Sequence, residues 1–130
     1  MILLDTSAIY ALTDAGDKDH DKAKELFALA LSQEQELVLH NYILLETAAL
    51  IQRRLGLKQT KKVLAQVEKL HIFWVDSSLH TAAEDYFHKY ATRKLSLVDC
   101  VSFIVMKQRS ITTAFAFDED FIKAGFQLYH

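Results

Sequence analysis

Leu3-Leu4-Asp5-Thr6-Ser7 is the stretch on which the fold turns. With Ile2, the two leucines form a short apolar run without polar alternation, the pattern of a strand covered on both faces in a parallel sheet. Asp5, Thr6 and Ser7 favour helix N-caps, and Ala8, Ile9, Tyr10 and Leu12 follow as apolar positions of a helix. The reading is a buried strand that delivers a carboxylate to its C-terminal end and passes straight into a helix. In open α/β sheets, ligands bind outside the carboxyl ends of the strands. Asp5 is therefore either an ordinary cap or one wall of an active site.

Working outward, Thr13 to Asp19 is a polar loop, and Ala23, Leu26, Phe27, Ala30 and Leu31 mark an amphipathic helix. Leu37-Val38-Leu39 is a second short strand, with Asn41 as N-cap of the helix that follows. From Tyr42 to Ile51 that helix is apolar on every side except Glu46 and Thr47, and a helix hydrophobic all round is buried. Glu46 is thus expected in or beside the core, where an ionised carboxylate needs pairing, protonation or a metal. A structural Glu bonded to Arg or a backbone amide is the alternative. Arg53 and Arg54 close this helix and Gly56 stops it. Thr60, Val63, Leu64, Val67 and Leu70 form the next.

Ile72-Phe73-Trp74-Val75 is the third strand, and Leu79, Ala82, Ala83, Tyr86, Phe87 and Tyr90 form an amphipathic helix whose aromatics are assigned to the core. Ser96 and Asp99 have capping-box spacing, which by itself accounts for Asp99. The helix they open continues through Cys100, Val101, Phe103 and Met106. Ile111 to Phe117 is a fourth strand that ends in Asp118-Glu119-Asp120, so Asp118 repeats the placement of Asp5. A short helix, Gly125 and a last strand at Phe126-Gln127-Leu128 complete the order β-α-α-β-α-α-β-α-α-β-α-β. Such alternation predicts an α/β fold: a single-domain, parallel-sheet α/β/α sandwich over residues 1–130.

The chain has 130 residues, half of them hydrophobic and a quarter charged, with no Pro and three Gly. This is the composition of a folded domain with long helices. A formal net charge of −2 supplies no overall attraction for nucleic acid, which leaves a local basic patch or a metal bridge. Cys100 is the only cysteine, which excludes an intrachain disulfide and argues against a thiolate zinc site. No basic leader precedes the first strand and no apolar run approaches about 18 residues. The expectation is a cytoplasmic protein that neither enters nor spans a membrane.

Taken singly, Asp5, Asp99 and Asp118 are explained as helix-start acids. Together, Asp5 and Asp118 share one rim of a parallel sheet, Asp99 begins a buried helix and Glu46 sits in another. Converging carboxylates repel one another, and a hard divalent ion such as Mg²⁺ or Mn²⁺ removes that conflict. At this point the sequence resembles a family. Leu-Leu-Asp-Thr-Ser-Ala-Ile at 3–9, Glu46, Leu-Ser-Leu-Val-Asp-Cys at 95–100 and Phe-Asp-Glu-Asp-Phe at 117–121 resemble the four acidic motifs of PIN-domain ribonucleases, in order and along the whole chain. In size the chain is most similar to the VapC-like toxins of toxin–antitoxin pairs.

The resemblance implies a PIN-like fold and a Mg²⁺- or Mn²⁺-dependent endoribonuclease with Asp5, Glu46, Asp99 and Asp118 as its acidic quartet. It implies Thr6 or Ser7, and Ser96, as polar neighbours that tune those acids, and Asp120 as holder of an outer-sphere water. Arg53, Arg54, Lys58, Lys61 and Lys62 are the expected RNA-backbone contacts, with two solvated helix faces as the alternative. An antitoxin protein docked on helices 42–51 and 57–70, and a homodimer, are further implications. Ala116 departs from the pattern, because the family usually has Thr two residues before the fourth Asp.

His20, His40, His71, His80, His88 and His130 fit no ligand spacing. A dehalogenase-like phosphatase needs a second Asp two residues after the first, where this chain has Ser7. A phospho-acceptor receiver domain needs an acidic pair after its first strand, and Asp5 has no acidic neighbour. The remaining alternative is a catalytically weak or inactive PIN-like module that binds RNA or protein, which metal dependence distinguishes.

Overall fold

The computed structural model describes residues 1–130. Five strands form one parallel sheet in the order β3-β2-β1-β4-β5: β1 (Ile2–Leu4), β2 (Leu37–His40), β3 (His71–Phe73), β4 (Thr113–Phe115) and β5 (Gln127–Leu128). Seven helices connect them: α1 (Thr6–Thr13), α2 (His20–Ser32), α3 (Asn41–Leu55), α4 (Leu57–Val67), α5 (Ser77–Tyr90), α6 (Leu97–Gln108) and α7 (Asp120–Lys123). The fold class and the element order predicted from sequence are both observed.

β1 occupies the centre because its three residues are wholly apolar, and all three are buried. Leu3 pairs with Val38 on one side and Ala114 on the other. From β1 the chain moves outward to β2 and β3, then crosses back to β4 and β5. Right-handed crossovers therefore place the helices of the outward half, α1 to α4, on one face and those of the return half, α5 to α7, on the other. The direction reverses between β1 and β4. A crevice opens at the carboxyl ends of adjacent strands at such a reversal, and Asp5 and Asp118 follow those two strands.

Three local expectations change. The cap of α3 is His40, not Asn41: His40 Nδ1 accepts from the Ile43 amide at 3.3 Å. Asn41 instead accepts from the Val75 amide at 2.6 Å, tying the end of β2 to the chain beyond β3. Strand β3 stops at Phe73, leaving Trp74 69% exposed. Helix α3 is not buried all round. Only Ile43, Thr47 and Ile51, an i, i+4, i+8 stripe, are fully buried, and Leu45 is 67% exposed. One apolar stripe suffices to dock a helix on a sheet, so the other apolar side chains of α3 are left for the surface.

Candidate active site

Asp5 is the only residue between β1 and α1. It caps α1 through Oδ2, which accepts from the Ser7 amide at 3.2 Å and the Ser7 hydroxyl at 2.6 Å. The Ser7 hydroxyl in turn accepts from the Phe117 amide at 3.0 Å. One oxygen thus joins the ends of β1 and β4, beside Asp118. Of the two neighbours expected to tune Asp5, Ser7 does so directly. Thr6 turns the other way, accepting from the Thr47 hydroxyl at 3.3 Å. That buried bond links the residue after Asp5 to the residue after Glu46, and so sets α1 against α3. Thr47 was not singled out from sequence, where it is one polar residue in an apolar run.

At the start of α6 the predicted capping box is complete. Ser96 Oγ accepts from the Asp99 amide, and Asp99 Oδ2 accepts from the Ser96 amide, both at 3.1 Å. The same helix is braced from below. His40 Nδ1 is already an acceptor, so its Nε2 carries the proton and donates to Ser102 Oγ at 2.8 Å. Ser102 donates onward to the Val98 carbonyl at 3.2 Å. Burial pushes the His40 imidazole down to about 3, so it is neutral at physiological pH. Its role is to brace α3 against α6, in keeping with the absence of a ligand pattern among the histidines.

Asp118 lies in the turn after β4, where its Oδ1 accepts from the Asp120 amide at 2.9 Å. That turn sets Asp120, expected to hold an outer-sphere water, beside the other acids. Carboxylate oxygens of Asp99, Asp118 and Asp120 all lie within 4.8 Å of one another. Asp5, Glu46, Asp99 and Asp118 line a common cleft of about 430 Å³, together with Thr6, Ser7 and Ser96. Glu46 projects into it from α3 and makes no ion pair.

Asp5, Asp99 and Asp118 share one pattern. Each commits a single oxygen to a local amide or hydroxyl. No buried side-chain oxygen or nitrogen lacks a partner, so the second oxygen of each is reachable from the cleft. Burial pushes Asp5 up to about 6, with the charges of Glu46 and Asp118 adding to it and the Ser7 bonds opposing. Asp99 rises to about 7, first through burial and then through Asp5 and Asp118. Asp118 is raised by burial, against the Asp120 amide bond and with the Asp120 charge beside it. Carboxylates that resist ionising together, each with one oxygen free, form an oxygen-only donor set that suits a hard divalent cation. Sulfur plays no part: Cys100 is buried, and burial holds its thiol at about 11.

The five bases expected to meet RNA separate. Arg53 lines the cleft. Arg54, one residue and about 100° further round the helix, packs over the Tyr10 ring at 5.2 Å, next to the Tyr10–Asp14 hydrogen bond. Lys58, Lys61 and Lys62 belong to α4 and are absent from the cleft wall. Lys94 stands in that wall instead. It was missed because nothing in the sequence between α5 and α6 fixes which way the connecting loop faces. Ala116 is buried, and the hydroxyl that joins the two strand ends is that of Ser7.

Comparison with known proteins follows the same lines. The sequence profile of the PIN domain matches residues 2–127. The 23S rRNA-specific endonuclease VapC20 of Mycobacterium tuberculosis, in strains CDC 1551 / Oshkosh and ATCC 25618 / H37Rv, is 37% identical over 130 residues, spanning 97% of this chain and 95% of the relative. The crystal structure of Mycobacterium tuberculosis VapC20, described as a sarcin–ricin loop cleaving toxin, superposes with a TM-score of 0.87 at 35% identity, over 97% of this chain and 96% of the other. FitAcB from Neisseria gonorrhoeae shares the fold, with a TM-score of 0.66 at 20% identity over 100% of this chain and 97% of the other. No helix of the protein is long and apolar enough to cross a membrane.

Proposed function

The chain belongs to the PIN-domain family, and from that premise we propose that it is an endoribonuclease that hydrolyses RNA phosphodiester bonds with Mg²⁺ or Mn²⁺, the toxin of a toxin–antitoxin pair. The observation that carries the proposal is the shared arrangement of Asp5, Asp99 and Asp118, each with one oxygen tied and one open to a common cleft. Asp5, Glu46, Asp99 and Asp118 are the proposed catalytic carboxylates. Asp120 joins the ligand set because of its nearness to Asp99 and Asp118. The chemistry supplied by the ion is Lewis acidity: activation of an attacking water and neutralisation of charge on the phosphoryl and departing oxygens.

This chain's own residues do the rest. Ser7 and the Ser96 capping box hold Asp5 and Asp99 in place, and the His40–Ser102–Val98 relay braces the helix behind Asp99. Arg53 and Lys94 set two cationic groups in an otherwise acidic wall, where they offset repulsion of an incoming phosphate chain. A complete set of acids with free oxygens favours an enzyme over an inactive binding module.

The substrate we propose is the sarcin–ricin loop of 23S rRNA, on the strength of the similarity to VapC20. Residues 1–130 would act as one domain in the cytoplasm, as a homodimer, held in check by an antitoxin. Exposed Leu45 and Leu57 on α3 and α4 fit the expected docking surface. Primer extension on ribosomes incubated with the protein and Mn²⁺ tests the substrate. A single stop in the sarcin–ricin loop is expected. Cutting confined to other RNAs overturns the substrate, and no cutting of any RNA overturns the function.

A further inference from the structure

A second hollow, of about 200 Å³, lies beside the acidic cleft between α5, α6 and α7. We infer that it is a base-stacking subsite for one unpaired nucleotide of the RNA, adjacent to the phosphate held at the acids; this rests on the nuclease reading above. The hollow is floored by aromatic rings that the sequence assigned to the core. Tyr86 is anchored edge-on against fully buried Phe103, centroids 5.9 Å apart. Tyr90, one turn on, lies 4.7 Å from Tyr86 and is 51% exposed, at the end of α5. An anchored ring thus packs against a half-exposed one in the wall of the hollow.

Charge selects the occupant. Lys89 Nζ stands 5.3 Å from the centre of the Tyr90 ring, and Lys107 Nζ stands 5.7 Å from that of Tyr86. These two stand over the rings rather than in the lining; Lys123 lines the hollow itself, 3.9 Å from Asp120 and mostly exposed. An apolar segment of a partner protein would have to desolvate these ammonium groups. A nucleotide offers a π-face to the tyrosines and a phosphate to the lysines in one unit. Position links the hollow to the chemistry. Asp120 lines it while its carboxylate lies within 4.8 Å of those of Asp99 and Asp118. A nucleotide stacked there belongs to the same strand as a phosphodiester at the acids. Stacking tolerates any base, so the subsite selects for an unpaired nucleotide near the cut rather than for sequence.

The test compares two fluorescein-labelled probes, a ten-nucleotide oligoadenylate and the same strand without its bases. Affinities are measured by anisotropy in Mg²⁺, in an Asp5→Asn background that does not cut. The parent should bind the base-bearing strand about tenfold more tightly, the scale of one aromatic–base stack. Tyr90→Ala should erase that preference and Tyr90→Phe should keep it. Because Tyr90 is half exposed, its thermal midpoint serves as a folding control. Lys89→Gln with Lys107→Gln should weaken both strands alike and flatten the salt dependence. A preference that survives Tyr90→Ala, or none in the parent, overturns the inference. So does a Tyr90→Ala effect confined to self-association. If the preference behaves as expected but Asp5-containing protein cuts no RNA, the nuclease reading alone fails. If RNA is cut but no Tyr90-dependent preference exists, this inference alone fails.

Discussion

Replacing Asp5 by Asn in the cation-free protein is predicted to stabilise the fold. Burial holds the Asp5 carboxyl at about 6 rather than its ordinary 3.8. The native state therefore binds a proton more tightly than the unfolded chain, and this group costs stability as pH rises through that window. The interval is 6 − 3.8 = 2.2 pH units, so at about 1.36 kcal/mol per unit the cost at pH 7 is about 3 kcal/mol. At pH 5 it falls to about half of that. Asn carries no charge and still caps α1. Exchanging two bonds to a carboxylate for bonds to an amide oxygen costs about 1 kcal/mol. The net gain is about 2 kcal/mol at pH 7 and under about 1 kcal/mol at pH 5. Urea unfolding followed by circular dichroism in EDTA at the two pH values measures it; groups remote from the cleft cancel in the difference, and Asp99, relieved of the Asp5 charge, adds to the gain. Adding Mn²⁺ should raise the wild-type midpoint far more than that of the variant. A variant no more stable than wild type at pH 7, or a gain that does not shrink at pH 5, would refute the reasoning.

Other outcomes follow from the same geometry. Ser7→Ala removes the hydroxyl bond, the stronger of the two that hold Asp5 down, and leaves the amide bond, so the acid limb of the cleavage–pH profile should move upward, with about 1–2 kcal/mol lost from the fold as the Phe117 amide loses its acceptor. His40, held at about 3 against an ordinary 6.5, contributes stability above pH 6.5 that is lost as pH falls toward 3. Between pH 6.5 and 5 this loss is about 2 kcal/mol, and His40→Phe should abolish that slope in denaturant titrations. Arg53→Gln and Lys94→Gln should each raise KM several-fold with little change in kcat and reduce the salt slope by about one. The combined Lys58→Gln, Lys61→Gln and Lys62→Gln variant should cut RNA within about twofold of wild type; a large loss there would return those lysines to the site.

What the sequence made legible is what is local. Ile2 to Ser7 encode a buried strand and a cap in consecutive residues, and Ser96 and Asp99 encode a box closed within one helical turn. Alternating elements then force Asp5 and Asp118 onto one rim. What stayed hidden depends on distant partners. His40 outcompetes Asn41 as the cap of α3 because Ser102, 62 residues on, fixes its tautomer. Arg53 and Arg54 look equivalent in sequence, yet one helical step sends the second to Tyr10. Tyr90 ends the helix before, and Lys94 lies within, a loop whose path apolar periodicity does not encode. Asp120 reaches the acids through a turn that only the Asp118–Asp120 hydrogen bond reveals. The aromatic spacing of α5 correctly gave a helix and wrongly buried its last tyrosine, because periodicity specifies a face but not how far the covering layer extends.

The central claim is that Asp5 and Asp99 serve a cation-dependent cut in RNA. Its most direct test is cleavage of ribosomal RNA by purified protein in EDTA, Mg²⁺ and Mn²⁺, with Asp5→Asn and Asp99→Asn alongside. Both substitutions keep a side chain able to cap a helix and remove one negative charge from the cleft. The account predicts cutting only with the cation, and a loss of about 10²-fold or more in each variant, the scale of a misplaced reacting group. Cutting that persists in EDTA, or that survives in both variants, would contradict it.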